Sequence, residues 1–295
     1  MRQKKSQKPT FHRSNPSSGR NKPPHTQNRR PSQDALPDVA QQAKKGLVYH
    51  GVHPVMAALA NQNRSCIRLF ATQAAADRLD RGAIAPCHQH LADEICLLSR
   101  EQMDRLTTSK SAPQSDVHQG IALHLEPLEE LDLTDITSAI DHNRGAPVRL
   151  VILDQVTDPR NIGAILRSAL AFGARAVIMT RKHAPDETAS LAKAAAGAVE
   201  MIPMVKVVNL ARALDALQDA GICIAGLEAG TATPIDSLSE HRHLALILGA
   251  EGSGMRRLTR EHCDVLTSIP ISEQSESLNV SVAAAIALYA SQYQP

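Results

Sequence analysis

The apolar pattern of this chain changes character along its length. Through residues 1–45 no helical or alternating apolar periodicity is visible; Pro, Ser, Gln, Asn and basic side chains dominate, and Phe11 is the only aromatic. Such a segment buries too little apolar surface to offset its ordering entropy, so it reads as a disordered arm. Order is expected from Leu47. Val52–Leu59 opens a short helix, with Pro54 tolerated in its first turn. Ile67–Phe70 reads as a strand and Gln73–Leu79 as an Ala-rich helix. Another helix starts after Ser99, an N-cap candidate with Gln102 three places on. Gln119–Leu125 closes the unit as a strand, which makes residues 46–125 a small α/β module.

Residues 126–147 are acidic and then carry Gly145 and Pro147, the pattern of a linker with at most one short helix. From Val148 the pattern becomes one of short, nearly unbroken apolar runs: Val148–Leu153, Ala176–Met179, Met201–Val205, Ile222–Gly226, Leu244–Leu248 and Val265–Ile269. Unbroken runs of this length suit strands buried on both faces. Helical stretches separate most of them, at Ile162–Phe172, Thr188–Ala196 and Leu210–Ala220, with a last one at Leu278–Tyr293. The alternation predicts an α/β fold over 148–295, with a mainly parallel sheet covered by helices.

Charge adds an asymmetry that the whole-chain value of +2 conceals. The arm holds eleven Lys/Arg against Asp34 and Asp38, hence +9, which leaves −7 for the remainder. A basic arm on a mildly acidic body suits a polyanion bound through its phosphates. Five cysteines without a regular spacing fit free thiols in a reducing compartment. The sequence has no apolar stretch of bilayer-crossing length and no apolar secretory segment behind Lys4 and Lys5, so a cytoplasmic, soluble protein is expected. Cys87, His88, His90 and Cys96 fit no standard zinc spacing, and no metal is expected.

Candidate chemistry gathers in three segments, each just after an expected strand, where open α/β sheets hold ligands. The first runs Leu153-Asp-Gln-Val-Thr-Asp-Pro-Arg-Asn161-Ile-Gly-Ala-Ile-Leu-Arg167-Ser-Ala169. Backbone amides at its helix start, with Arg160 and Arg167, suit an RNA phosphate; the plainer alternative is that Asn161 caps the helix and Arg167 is solvated. The second is Leu246-Ile-Leu248-Gly249-Ala-Glu251-Gly-Ser-Gly254-Met255. Its glycines permit positive φ and close backbone approach, yet it is neither a dinucleotide fingerprint nor a P-loop. The third is Ser268-Ile269-Pro-Ile-Ser-Glu273-Gln-Ser-Glu-Ser277-Leu278-Asn279-Val-Ser281. One capped helix start explains one of Ser277, Asn279 and Ser281, but not all of them.

In this order and spacing the segments resemble the signature motifs of the SpoU/TrmH family of SPOUT methyltransferases: N-x-G-A-x-x-R-S-A, L-G-A-E-G-x-G-M, and I-P followed by S-L-N-V-S. The resemblance covers roughly 148–293, and Tyr49–Val55 looks like the start of the family's substrate-binding domain, a ribosomal-protein-like module. It implies a trefoil-knotted C-terminal domain, an exception to unknotted topology, and a bent S-adenosylmethionine held largely by backbone groups at Leu248, Gly249, Ile269, Ser277 and Leu278. It also implies a homodimer, and catalytic positions at Asn161, Arg167, Glu251, Ser277 and Asn279. Domain order and size resemble the bacterial enzymes that methylate a guanosine 2′-hydroxyl in large-subunit ribosomal RNA. Ile271 and Glu273 depart from the family pattern, which often has Met and Gly there.

A ribose 2′-hydroxyl attacks well only if its proton leaves or its developing charge is stabilised. Free arginine has a pKa above about 12, so Arg167 is read as a phosphate clamp and electrostatic stabiliser, with Glu251 the alternative proton acceptor. Asn279 and Ser277 are expected to orient ribose or cofactor. The alternatives are a tRNA 2′-O-methyltransferase and a non-catalytic RNA-binding assembly factor on the same fold. With no Trp and few other aromatics, RNA contact should rest on phosphates and shape rather than on base stacking.

Overall fold

A computed structural model describes residues 35–108, 117–142, 146–272, 274–275 and 277–292. The first module contains α1 (Asp38–Ala43), β1 (Leu47–His50), α2 (Val52–Ala60), β2 (Cys66–Ala71), α3 (Gln73–Ala76), α4 (Gln89–Asp93), β3 (Cys96–Leu97), α5 (Arg100–Thr107) and β4 (Ile121–Leu125). Its sheet has the order β1-β4-β2-β3, with β4 antiparallel to both neighbours and β3 parallel to β2. The helix after Ser99 forms with a full capping box, Ser99 and Gln102 each satisfying the other's backbone amide. Expected helix Gln73–Leu79 stops at Ala76, a single turn.

The arm expected to be disordered through residue 45 needs correction at its end. Asp38–Ala43 is helical, and Ala40 and Ala43 are buried against Phe70, Met103 and Leu106. Averaging over a long Pro- and Ser-rich stretch hid a local pair of small apolar residues spaced for one helix face. Residues 1–34 of that arm lie outside the described residues.

The second module follows α6 (Leu133–His142) and contains β5 (Val148–Asp154), α7 (Pro159–Ala171), β6 (Ala176–Thr180), α8 (Ala189–Ala194), β7 (Met204–Val207), α9 (Leu210–Asp219), β8 (Cys223–Leu227), β9 (Thr233–Pro234), β10 (His243–Gly249), α10 (Arg257–Glu261), β11 (Val265–Ser268) and α11 (Val280–Ala290). Seven strands form one sheet in the order β7-β6-β5-β10-β8-β11-β9, and every pairing is parallel. All seven residues of β5 are buried. Val151 and Leu153 pack with α7 and α11 on one face, while Leu150 and Ile152 pack with α9 on the other. This two-sided burial is the physical origin of the nearly unbroken apolar run, which Arg149 interrupts. Segment 126–147 is less of a linker than its composition suggests, because Leu131, Leu133 and Ile136 pack against the α9 face.

No helix among the described residues is long and apolar enough to cross a membrane. Burial pushes the thiols of Cys66 and Cys263 up to about 12 and that of Cys223 up to about 11, whereas Cys87 is exposed. Because the thiolate is the reactive species, iodoacetamide at neutral pH is expected to alkylate Cys87 first. Peptide mass spectrometry checks this; equal rates at Cys66 and Cys263 would contradict the packing.

Candidate active site

All strands of the large sheet point the same way, so their carboxyl ends share one edge. From β5 the chain moves outward to β6 and β7, then crosses to the far side, with β10 returning beside β5. A reversal of this kind opens a crevice at the strand ends, and ligands bind there. The reversal falls between β5 and β10, whose ends have Asp154 and Gly249 as register partners. The three motif segments leave the carboxyl ends of β5, β10 and β11.

Local chemistry frees the side chains that matter. Asp158 caps α7 by accepting from the Arg160 amide at 2.9 Å, and Pro159 occupies the first helical position. Asn161 is therefore not the cap. Its amide instead donates to Glu251 Oε1 at 3.1 Å. Asn279 does cap α11, accepting from the Ser281 amide at 3.0 Å and its hydroxyl at 2.6 Å. The Asn279 amide also donates to Glu251 Oε1 at 2.9 Å and to Asn161 Oδ1 at 3.1 Å. The Val280 amide donates to the same Glu251 oxygen at 3.4 Å. Asn161, Glu251 and Asn279 thus close a hydrogen-bonded triangle that ties the three segments together.

Glu251 stands at the tip of a tight turn. Ala250 and Gly254 exchange backbone hydrogen bonds of 3.1 and 2.9 Å, and Gly252 and Gly254 take φ of +82° and +67°. A Cβ at Gly249 would lie 2.2 Å from the carbonyl carbon of Gly254, so only glycine lets the turn fold back this closely.

Two residues that the sequence reading missed hold this turn in place. Asp154 is fully buried and accepts from the Arg256 amide at 2.9 Å and from Arg256 Nε at 2.7 Å. A buried carboxylate needs such pairing. The one signal in the sequence is an aspartate closing an apolar strand.

Arg167 lies six residues beyond Asn161, about 9 Å further along α7. It is exposed and makes no hydrogen bond with the triangle. Ser277 is exposed, and its carbonyl accepts from the Ser275 hydroxyl at 3.3 Å. Arg160 and Arg257 extend side chains that are 85% and 83% exposed. Glu273 lies outside the described residues.

The five positions expected to hold S-adenosylmethionine suit that group. Leu248 is buried, so its contribution at the strand end is its backbone; Ile269 and Leu278 are half-buried aliphatic side chains, and Gly249 and Ser277 carry no charge. Aliphatic cover for an adenine, backbone polar groups and the absence of a basic side chain in this set fit a cationic sulfonium donor. Of the four residues whose spacing fits no zinc site, His88 has a structural role: its ring lies 3.0 Å from the Leu59 carbonyl oxygen and 2.8 Å from that of Arg64.

Comparison with known proteins identifies the family. The SpoU rRNA Methylase family model matches residues 149–289, and the model for RNA 2′-O ribose methyltransferase substrate binding matches 48–131. The chain is 39% identical over 245 residues to the 23S rRNA (guanosine-2′-O-)-methyltransferase RlmB of Coxiella burnetii, covering 83% of this chain and 94% of that one. Its counterpart in Haemophilus ducreyi is 42% identical over 243 residues, covering 81% and 94%. The chain belongs to the SpoU rRNA methylase family. Among solved structures, an AdoMet-bound rRNA methyltransferase from Sinorhizobium meliloti superposes on this SpoU methylase with a TM-score of 0.68 at 19% identity, covering 86% of this chain and 94% of that one. The SpoU methyltransferase AviRb from Streptomyces viridochromogenes, in complex with AdoMet, gives 0.65 at 19% identity, covering 87% and 97%. Both likenesses are of fold. In this SpoU methylase, the motif triangle lies just beyond the carboxyl ends of β5 and β10.

Proposed function

We propose that this chain transfers the methyl group of S-adenosylmethionine to the ribose 2′-hydroxyl of a guanosine in 23S rRNA. The observation that carries this reading is the Asn161–Glu251–Asn279 triangle, which joins three distant segments at the sheet's ligand edge in a chain whose relatives are named for that reaction. A pure RNA binder has no use for such a constellation, and this disfavours the assembly-factor alternative. The substrate lies in the bacterial cytoplasm, where we expect the protein to act.

Bound S-adenosylmethionine supplies an electrophilic methyl group on a sulfonium. Leu248, Gly249, Ile269, Ser277 and Leu278 hold it, as part of the knotted C-terminal segment that the resemblance implies. Glu251, with Oε1 taken up by Asn161, Asn279 and the Val280 amide, organises the loops in preference to accepting the substrate proton. Asn161 and Asn279 orient the ribose. Arg167 clamps the adjoining phosphate and stabilises the charge that develops as the hydroxyl proton passes, by way of that phosphate or a water, to solvent. Arg160 and Arg257 add phosphate contacts at the rim, and the 46–125 module holds the rest of the RNA.

The same reading includes a homodimer. Val282, Ile286 and Tyr289 are 48%, 37% and 70% exposed and recur at intervals of four and three along α11, an apolar stripe on the helix that Asn279 starts. Ile286→Asp is expected to yield monomers by light scattering and to lose methyl transfer. A fully active monomer would remove the dimer from the mechanism.

Ribose-methylation mapping of RNA from cells with and without the gene tests the substrate. One guanosine of 23S rRNA should lose its 2′-O-methyl group. Loss confined to tRNA would favour the tRNA alternative, and no loss anywhere would refute methyl transfer.

A further inference from the structure

The triangle and its rim leave one buried ionic cluster unused. Arg64, in the turn after α2, is 1% exposed at its side chain. Its guanidinium pairs with Glu187 Oε1 through Nη2, lies 3.4 Å from Glu200 Oε1, and stands 5.2 Å from the centroid of the Tyr49 ring. The Tyr49 hydroxyl donates to the same Glu187 oxygen. Glu187 Oε2 accepts from the Leu128 amide at 2.8 Å, and the Asn61 amide donates to Glu200 Oε2 at 2.9 Å. Tyr49, Asn61 and Arg64 belong to the first module, whereas Glu187 and Glu200 flank α8 of the second. Burial pushes the carboxyl of Glu200 and the hydroxyl of Tyr49 up from their ordinary ranges.

The segment those carboxylates flank is wedged between the modules at backbone distance. Ala192 of α8 packs in the apolar core of the first module with Tyr49, Val55 and Leu59. A Cβ on Gly197 would lie 2.6 Å from Ala57 Cβ. On the other side, a Cβ on Gly163 would lie 2.4 Å from Ala194 Cβ and 2.8 Å from the Ala194 carbonyl carbon. Gly163 sits two residues from Asn161 on α7. A continuous packed path therefore runs from Arg64 through α8 to the catalytic helix.

A buried arginine with two carboxylates gives up much of its attraction to desolvation, and apolar residues of similar volume often stabilise as well. What the pairing adds is geometric definition, because any slip leaves a charge unpaired in a dry interface. We infer that Arg64 is a positioning residue: gripping Glu187 and Glu200, it fixes the first module on α8 and so sets where RNA held by that module meets Asn161 and Arg167. The inference rests on the methyl-transfer reading above, but the lock itself can be measured apart from it.

Spin labels on Cys87 and on D219C, exposed sites on the two modules, report the distance between them by double electron–electron resonance in the full chain. The parent protein should give one narrow distribution. Arg64→Met should broaden it and lower kcat on a 23S rRNA transcript by about tenfold to a hundredfold, the cost of a misplacement near 1 Å. Affinity for S-adenosylmethionine by calorimetry should not change, and Arg64→Lys should recover part of kcat. If Arg64→Met does not fold, Glu187→Gln and Glu200→Gln carry the same comparison. An unchanged narrow distribution, or full kcat with a broadened one, overturns the proposal. A parent protein inactive on all RNA defeats the methyl-transfer reading and with it the link to turnover, while the distance distribution still decides the lock.

Discussion

Replacing Arg167 with alanine is expected to lower methyl transfer to 23S rRNA by about a hundredfold to ten-thousandfold, the range for losing a preorganised charge or a proton-handling group. Cofactor affinity should stay at the parent value, because Arg167 is not among the five positions assigned to S-adenosylmethionine. Stability should also hold, because the side chain is exposed and makes no hydrogen bond with the triangle. Single-turnover kinetics with calorimetry separates these effects. Near-normal turnover would take Arg167 out of the mechanism. Arg167→Lys keeps the charge but loses the planar fork suited to a phosphate, so it should fall between parent and alanine.

Gly249→Ala is expected to abolish cofactor binding and turnover together. The added Cβ would sit 2.2 Å from the Gly254 carbonyl carbon and 2.4 Å from the Met255 amide nitrogen. Both are backbone atoms, so the turn itself must move. That turn carries Glu251, and it is tied to Asp154 through the Arg256 amide. A shift of about 1 Å there is sufficient to cost about a hundredfold in rate. Titration of S-adenosylmethionine by calorimetry checks the binding half of the expectation; parent-like affinity would mean that the glycine-rich turn does not hold the cofactor. Gly252→Ala offers a contrast, since no atom lies within 4 Å of its added Cβ and only its φ of +82° is strained.

The sequence made the large sheet legible because burial on both faces writes itself as nearly unbroken apolar runs. β5 was expected at Val148–Leu153 and spans Val148–Asp154. The error at β7, expected from Met201 and found from Met204, comes from a short 3-10 turn at Ala198–Glu200 followed by Pro203, which has no amide to give a ladder. The motifs likewise pointed to Asn161, Glu251 and Asn279, which the fold brings into hydrogen-bonding contact. They could not show that Asp158 takes the capping role and so releases Asn161. Nor could they show the Asp154–Arg256 clamp or the Arg64 cluster, whose partners are 102 and 123 residues apart. Pairings of that separation leave no periodic trace, and only the fold brings them together.

The central claim is that one crevice holds a sulfonium donor beside a ribose hydroxyl. The most direct measurement incubates the purified chain with 23S rRNA and S-adenosylmethionine labelled in its methyl group, then hydrolyses the RNA in alkali. A 2′-O-methyl group blocks cleavage at its own nucleotide, so the label should appear in a single alkali-resistant dinucleotide beginning with guanosine, and Arg167→Ala should form it at least about a hundredfold more slowly. Label released as a methylated base in ordinary mononucleotides, or no label at all, would contradict the account.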